Sequence, residues 1–310
     1  MNALLLAGWL VAAPVASAAP AASETFVAPE TSANTARESV TGPAVPDTTV
    51  TLRRGDRVAV ENLSGHIVVR GGDRSTLSLR GRDDRLQTVS VRREGGRVTV
   101  ASTDRKGRGL DVEVELLLPS WVALEVQGRE ADVTVSGMTA DVSVRILEGD
   151  IRASNVAGVV NLSTVDGEID VEDATGKITA RSRGDDVTAR RIRGELAVHS
   201  GSGDIRLEEI TAASVTAETL DGDLLYQGIL ARAGNYAFSV HDGDADIIIP
   251  RDSGVQARVA TFDGEFTSDF PVTLKGYTGD GRFEFTLGDG RARLEIQVFD
   301  GEIRLLSSRR

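Results

Sequence analysis

The chain has 310 residues, of which 40% are hydrophobic, so it is long enough to bury a sizeable core. Only 4% are aromatic while 33 are glycines, which favours short strands filled by aliphatic side chains and separated by turns. The net charge of −12 comprises −3 over residues 1–47, +7 over residues 48–110 and −16 over residues 111–310. An acidic body of this size argues against nucleic acid as a partner.

The N-terminus predicts an exported protein. Residues 1–18 are an apolar stretch that ends in Ala16-Ser17-Ala18, the small-x-small pattern of a signal peptide. Residues 19–47 are rich in Ala, Pro, Ser and Thr and predict a disordered tether. We therefore expect a periplasmic or cell-surface protein with no transmembrane segment in the mature chain, and with no cysteine it has no disulfide framework.

Residues 48–118 predict an N-terminal region of short alternating strands. Segments such as "RVAVEN", "HIVVRG" and "DVEVELLLP" alternate apolar with polar residues between Gly and Asp turns. No helical period competes with this alternation, so the region is expected to be all-β.

Residues 119–306 contain a repeat whose corners are marked by glycine. The glycines recur at steps of 17 to 21 residues, with a last one 37 residues on: Gly149, Gly167, Gly184, Gly203, Gly222, Gly243, Gly264 and Gly301. Each repeat presents equivalent aliphatic residues on one side, which predicts a parallel β-solenoid of roughly 18–21-residue coils, with the N-terminal region as a strand-rich cap. Antiparallel hairpins are the rival arrangement because "DG" is also a hairpin signal.

The C-terminal part departs from the regular repeat. Six of the eight phenylalanines lie between Phe262 and Phe299. Because the last coil of a solenoid exposes its core, we expect these rings to cap that end.

The chain resembles the bacterial "putative adhesin" family of β-strand-repeat envelope proteins, which is also catalogued as a domain of unknown function. The resemblance rests on "RRGDRVAVENLSGHIVVRG", "ELLLPSWVALEV", the serial "GDI/GEI" corners and the C-terminal "FDGEFTSDFPVTL" and "VFDGEIRL", and it covers about residues 48–306. It implies an exported β-solenoid domain and supplies no catalytic motif.

An acidic residue follows each of the eight repeat glycines. These residues are Asp150, Glu168, Asp185, Asp204, Asp223, Asp244, Glu265 and Glu302. Coils about 4.8 Å apart would stack them as a ladder of like charges. The first interpretation is a row of solvated turn residues that accept hydrogen bonds from corner N–H groups. The alternative is a calcium contact, because carboxylate oxygens are the ligands that calcium prefers; its candidate ligands are Asp150, Glu168, Asp204, Asp223, Asp244 and Glu265.

Catalytic interpretations have weaker support. Carboxylates about 5 Å apart match a retaining glycosidase pair, but such a pair needs two unlike environments and a cleft, which short corners do not build. His66, His199 and His241 lie far apart in the chain and are interpreted as surface turn residues. No nucleophile elbow, phosphate-binding loop or zinc motif occurs.

Two functional hypotheses follow. The first is a non-enzymatic, adhesin-like interaction module of the cell envelope whose flat faces bind an envelope glycan or protein. The second is a structural or stress-related envelope component, for which calcium is a candidate stabilising ion. A carbohydrate-active β-helix enzyme is a third hypothesis, with the least support. A tract of exposed aromatic residues would favour glycan binding by the interaction module, and no such tract is evident in the repeats.

Overall fold

The structure is a computed structural model that describes residues 48–81, 89–102, 111–273, 275–278 and 281–308. These residues form 24 strands of one mixed sheet and contain no helix, so the prediction of an all-β chain is confirmed. Within these ranges there is accordingly no helix long and apolar enough to cross a membrane. The predicted signal peptide and tether, residues 1–47, lie outside the described residues.

The N-terminal region pairs directly with the first repeat strand. Its strands are β1 (Thr48–Thr51), β2 (Arg57–Gly72), β3 (Thr76–Gly81), β4 (Val89–Glu94), β5 (Arg97–Ser102) and β6 (Asp111–Pro119), and β7 (Ala123–Ser136) follows. β2 pairs in parallel with β7 on one side and with β5 and β6 on the other. β1, β3 and β4 add antiparallel pairs, β1 to β3, β3 to β6 and β4 to β5. Parallel hydrogen bonding therefore crosses the predicted boundary between residues 118 and 119.

The central repeats each contain a long and a short strand that pair in parallel with their equivalents. The strands are β8 (Val142–Arg145), β9 (Ile151–Ser154), β10 (Ala157–Ser163), β11 (Ile169–Glu172), β12 (Thr175–Ser182), β13 (Val187–Arg190), β14 (Arg193–Ser202), β15 (Ile205–Asp221), β16 (Leu224–Gly228), β17 (Asn235–Asp242) and β18 (Ala245–Ile249). The register advances by 18 residues between the early repeats, so that Ile169 lies between Ile151 and Val187. Identical backbone positions thus stack on one another.

The C-terminal repeat is inserted between two repeats that precede it in the chain. The last strands are β19 (Val255–Asp263), β20 (Phe266–Ser268), β21 (Lys275–Thr278), β22 (Arg282–Leu287), β23 (Ala292–Asp300) and β24 (Ile303–Ser307). β23 pairs in parallel with β17 on one side and β19 on the other, and β24 lies in the same way between β18 and β20. The antiparallel strands β21 and β22 follow β19 at the end of the sheet. The step of 37 residues to Gly301 therefore reflects an insertion in space.

The core is a continuous aliphatic stack. Ile151, Ile169, Ile205 and Leu224, which the alternation assigns to the interior, are all at most 1% exposed. Fully buried aromatic rings enter this stack in the later repeats, where Tyr226 packs against Tyr236 and Phe238. The predicted inward positions are confirmed, because period-two alternation fixes which side of each strand is buried.

The corner at Gly167 leaves no room for a side chain. At Gly167 the backbone φ is 144°, and an added Cβ would lie 2.0 Å from the carbonyl oxygen of Gly149 in the preceding repeat. The left-handed conformation and the close stacking of corners both demand glycine.

Candidate binding surface

The predicted acids do form a row, in which Asp186 takes the place of Asp185 and Asp132 is an additional member. We define the acidic corner row as the stacked residues Asp132, Asp150, Glu168, Asp186, Asp204, Asp223, Asp244, Glu302 and Glu265, each of which directly precedes a residue paired in register with its neighbours. Asp185 was predicted to belong to this row, and that is wrong. The register places it at the glycine position, and Asp186 occupies the row.

The Asp side chains of the row close the corners between repeats. The Asp204 carboxylate accepts the backbone N–H of Asp223 at 2.9 Å, and the Asp223 carboxylate accepts that of Asp244 at the same distance. Asp244 in turn accepts the N–H of Glu302 at 2.9 Å. The pattern holds also for Asp132, Asp150 and Asp186, which each accept the N–H of the next row member. Each such bond satisfies a backbone donor at a corner, so the first interpretation, of turn residues that accept corner N–H groups, describes this row.

The calcium interpretation stays a prediction. Each capping Asp already uses one oxygen on a backbone N–H, whereas calcium takes six to eight oxygen ligands. Among the residues that the structure describes, no group of three or more His, Asp or Glu side chains is arranged to hold a metal ion.

The second corner of the repeats has a left-handed residue, and a charge pair joins two neighbouring repeats there. Its residues Asn155, Asp173, Arg191 and Glu209 all have φ between 52° and 55°. The Arg191 guanidinium donates to Asp173 at 2.8 Å and also to Glu172. The hydrogen bond from Arg191 lowers the pKa of Asp173 below its usual range. Charges of opposite sign thus alternate over the three repeats that contribute Asp173, Arg191 and Glu209.

An exposed row of one leucine and three ring side chains lies on the outer face of the long strands in the last four repeats. We define the stripe as Leu220, His241, Phe299 and Phe262, which the register places side by side in that order. The rings of Phe262 and Phe299 stack 4.8 Å apart at 3°, and the ring of His241 stacks on Phe299 at 4.8 Å. Phe262 is 76% exposed, Leu220 56% and Phe299 47%. The sequence interpretation that the repeats lack exposed aromatics is therefore corrected. The assignment of His66, His199 and His241 to turns is also wrong, because all three lie in strands.

The remaining C-terminal phenylalanines do cover the core. Phe283 and Phe285 are 6% and 1% exposed, and Phe266 packs against both at 5.0 and 5.8 Å. The predicted aromatic cap thus holds for these rings and for Phe270, which is 9% exposed, but not for Phe262 and Phe299.

A second line of carboxylates borders the stripe. Directly after each stripe residue comes an exposed aspartate: Asp221, Asp242, Asp300 and Asp263, in the same stacking order. Within the described ranges none of these four side chains has a hydrogen-bond or ion-pair partner, unlike the capping members of the acidic corner row. They are free to contact a ligand beside the rings.

Two overlapping grooves lie on the other side of the stripe. One of about 390 Å³ is lined by Ser214, Thr216, Asn235, Ala237, Gln256, Arg258, Arg293 and Glu295 among others. A second of about 560 Å³ shares Arg258 and Glu295 with it and continues over Ala260, Arg282, Glu284 and Gln297. The short side chains Ala237 and Ala260 lie low between longer polar ones, which makes this face concave.

The sequence carried a signal for the stripe. Leu220, His241 and Phe262 each lie two residues before a repeat glycine and are 21 residues apart. Side chains alternate between the two sides of β19. Because Val255, Ala257 and Val259 are buried, Phe262 is expected to point outward. Phe299 could join the row only once the insertion of the last repeat was known.

The comparisons with known proteins concern almost the whole chain. The model of the family described as Toastrack DUF4097 matches residues 27–306, and no curated protein matches. Among solved structures, a putative adhesin from Bacteroides fragilis is 13% identical, with 86% of this chain and 100% of that chain covered and a TM-score of 0.44.

Two further solved structures are similar over comparable lengths. A putative cell adhesion protein from Clostridium sporogenes is 8% identical over 84% of this chain and 99% of its own, with a TM-score of 0.23. A putative lipid binding protein from Parabacteroides distasonis is 11% identical over 86% and 99%, with a TM-score of 0.36. At these identities and TM-scores the likeness carries no information about a ligand.

Proposed function

The chain belongs to the Toastrack DUF4097 family of domains of unknown function, and from that premise we propose that it is an exported, non-enzymatic interaction module of the bacterial cell envelope. It would hold its partner on the outer face of its long strands, over the last four repeats. The family match confirms the resemblance to a family catalogued as a domain of unknown function.

We infer that the repeats wind as a parallel β-solenoid, which gives the module its flat faces. Support comes from the parallel register of successive long strands, such as β10 with β12 and β12 with β14, and from the stacked glycine corners. In such a stack every outward position forms a line of equivalent side chains about 4.8 Å apart. A line of this kind presents a partner with a regular surface.

The observation that carries the proposal is the exposed stripe. Taking about 200 Å² for a phenylalanine, Phe262 and Phe299 together leave about 250 Å² of ring in water. Covering that area is worth about 6 kcal/mol before the costs of association are subtracted. Exposed apolar patches on soluble proteins commonly mark binding sites, and only 4% of this chain is aromatic.

The carboxylates support binding rather than catalysis. Members of the acidic corner row occupy equivalent backbone positions, and six of them serve as caps for the next repeat. An acid and base pair needs two unlike environments, which a repeated position does not offer.

Export is tested by producing the full chain with a C-terminal tag in a bacterial host. We expect the tagged protein in the periplasm or medium with Ala19 as its N-terminal residue. Recovery of a protein that still begins at Met1, in the cytoplasm, would contradict the export part of the proposal.

Binding is tested by sedimenting the purified tagged protein with an envelope fraction of the source bacterium. The stripe variant Phe262→Ala/Phe299→Ala should be retained at least tenfold less than the parent. The matched control is Leu147→Ala/Val159→Ala, which removes two residues 46% and 41% exposed in earlier repeats and should change nothing. Equal retention of all three proteins would favour a structural envelope component, and no retention of any would refute the module.

A further inference from the structure

We propose that the surface beside the stripe binds a linear, uncharged glycan that lies along the stack of repeats. This inference rests on the proposed function and names the partner class for the same face. The site consists of the stripe and the two overlapping grooves, which together cross the strands β15, β17, β23, β19 and β22.

The length of the surface fits a polymer rather than a single small molecule. Four neighbouring long strands at about 4.8 Å spacing, with β22 beyond them, give a surface of roughly 20 Å along the stack. The two grooves share Arg258 and Glu295, so they form one continuous depression of the outer face. It is open at the surface, so a chain can lie across it without threading.

The lining offers hydrogen-bond donors and acceptors in balance. Arg258 donates to Glu284 at 2.9 Å, and the Gln297 amide donates to Glu295 at 2.7 Å. The lining as a whole carries three arginines and two glutamates, Arg258, Arg282, Arg293, Glu284 and Glu295, so its charges nearly balance. Further donor and acceptor positions remain on the amide, guanidinium and carboxylate groups. Hydroxyl groups, which donate and accept at once, match such a lining better than groups of one sign.

The stripe adds the apolar contact that sugars need. One face of the Phe262 ring stacks on Phe299, and the residue remains 76% exposed. The C–H face of a pyranose ring can pack on such a ring, while its hydroxyls reach Gln297 and the neighbouring aspartates. Aromatic rings beside hydrogen-bonding groups are the usual composition of small-molecule sites.

Charge disfavours an anionic polymer at the border of the stripe. Beyond the stripe lie Asp221, Asp242, Asp300 and Asp263, and then four members of the acidic corner row. Among the described residues of that border, Arg304 opposes them, and it pairs with Asp244 and Asp246. A uronic acid polymer or a nucleic acid would therefore be repelled where it meets the stripe and its border.

A peptide that adds as an extra strand is excluded at this face. β17 and β23 have parallel partners on both sides, and β19 has β23 on one side and β22 on the other. Their backbone groups are therefore already engaged, and β-augmentation needs a free edge. A basic peptide could use only the side chains, and it is the competing outcome of the test.

Affinity gel electrophoresis of the full-length tagged protein decides between these partners. The probes are hydroxyethylcellulose and a soluble β-1,3-glucan as neutral glycans, polygalacturonate as an anionic glycan, and poly-lysine as a basic peptide. We expect retardation by at least one neutral glycan and none by polygalacturonate. Phe299→Ala and Gln297→Leu should each weaken that retardation about tenfold, while Phe299→Tyr and the control Leu147→Ala/Val159→Ala should keep it.

The outcomes separate this inference from the proposed function. No retardation by either neutral glycan, or retardation by poly-lysine alone, would overturn the glycan assignment, and so would Phe299→Ala and Gln297→Leu variants that bind like the parent. If the parent is still retained by envelope through its stripe in that case, the interaction module stands with another partner. If envelope retention also fails, both proposals fall.

Discussion

Two buried tyrosines that differ only in their hydrogen bonds give a sharp test of the core. The Tyr236 hydroxyl donates to the carbonyl of Ala212 and accepts the N–H of Ala231, both at 2.7 Å. The Tyr226 hydroxyl, in the same cluster of rings, has no partner. We therefore predict that Tyr236→Phe lowers the free energy of unfolding by about 2 kcal/mol, because it leaves a buried carbonyl unpaired.

Tyr226→Phe, by contrast, should not lower the free energy of unfolding. It removes a hydroxyl that was desolvated without compensation, so the free energy of unfolding should stay level or rise by up to about 1 kcal/mol. For a domain of this size a loss of 2 kcal/mol corresponds to a fall in Tm of about 4–8 °C. The assay is urea unfolding followed by circular dichroism and by the fluorescence of Trp121, since agreement of the two probes supports two-state analysis.

The pH dependence of the same variants checks the reasoning independently. Burial raises the pKa of both tyrosines above the ordinary value near 10. Above that pH the unfolded chain releases protons that the folded chain keeps, so stability falls as pH rises. Tyr226→Phe should flatten this alkaline decline. If instead Tyr226→Phe costs as much as Tyr236→Phe, the hydrogen-bond argument is refuted.

Four further predictions concern the corners and the inserted repeat. Asp204→Ala should lower the free energy of unfolding by about 1 kcal/mol in urea titrations, because it uncaps the N–H of Asp223, whereas Asp204→Asn keeps an acceptor oxygen and should stay near the parent; equal losses would assign the effect to charge. Arg191→Gln should raise the pKa of Asp173 towards its usual range in an NMR titration, and an unchanged pKa would show that the ion pair does not form in solution. Calcium at 5 mM should raise Tm no more than magnesium does, and a larger, saturable rise that Asp204→Asn abolishes would establish the predicted metal contact. Deleting residues 292–310 removes β23 and β24, so the edges of β18 and β20 that pair with β24 should become exposed and cause aggregation in light scattering. A soluble monomer would contradict the inserted order of strands.

The sequence predicted the repeat because its corners obey local rules. A glycine with positive φ and a stacked neighbour is required at Gly149, Gly167 and Gly203, and period-two alternation then assigns the core. The failure at Asp185 has the same origin. Its repeat contains Gly184 one residue early, and only the register of Val187 with Ile169 and Ile205 shows that an aspartate occupies the glycine position.

The order of the last strands could not be read from the sequence. A repeat unit can pair with either open edge of a stack, and the local pattern around Gly301 is the same in both cases. The choice depends on non-local packing. Here Leu294 and Ile296 of β23 are buried between β17 and β19, and Arg304 pairs with Asp246 on the neighbouring strand. This placement brings Phe299 between His241 and Phe262 and so completes the stripe.

The stripe position is one that folding leaves free. The same outward line holds Arg129, Leu147, Val165, Arg183 and Gly201 in the earlier repeats, by the register that connects Glu148 to Glu130 and Asp166, and Ser200 to Ser182 and Thr219. The stack therefore tolerates a charge, an aliphatic or no side chain there.

Stacking alone does not explain the aromatic residues. A stacked aromatic pair is worth about 0.5–1.5 kcal/mol, while Phe262 keeps most of its surface in water. By contrast, Asp at the acidic corner row recurs along the stack because it caps the next repeat. Repeats carry the same type of residue at positions where the fold requires it. The fold does not require exposed rings at the stripe position, so their presence in the last three members of the stripe points to a ligand.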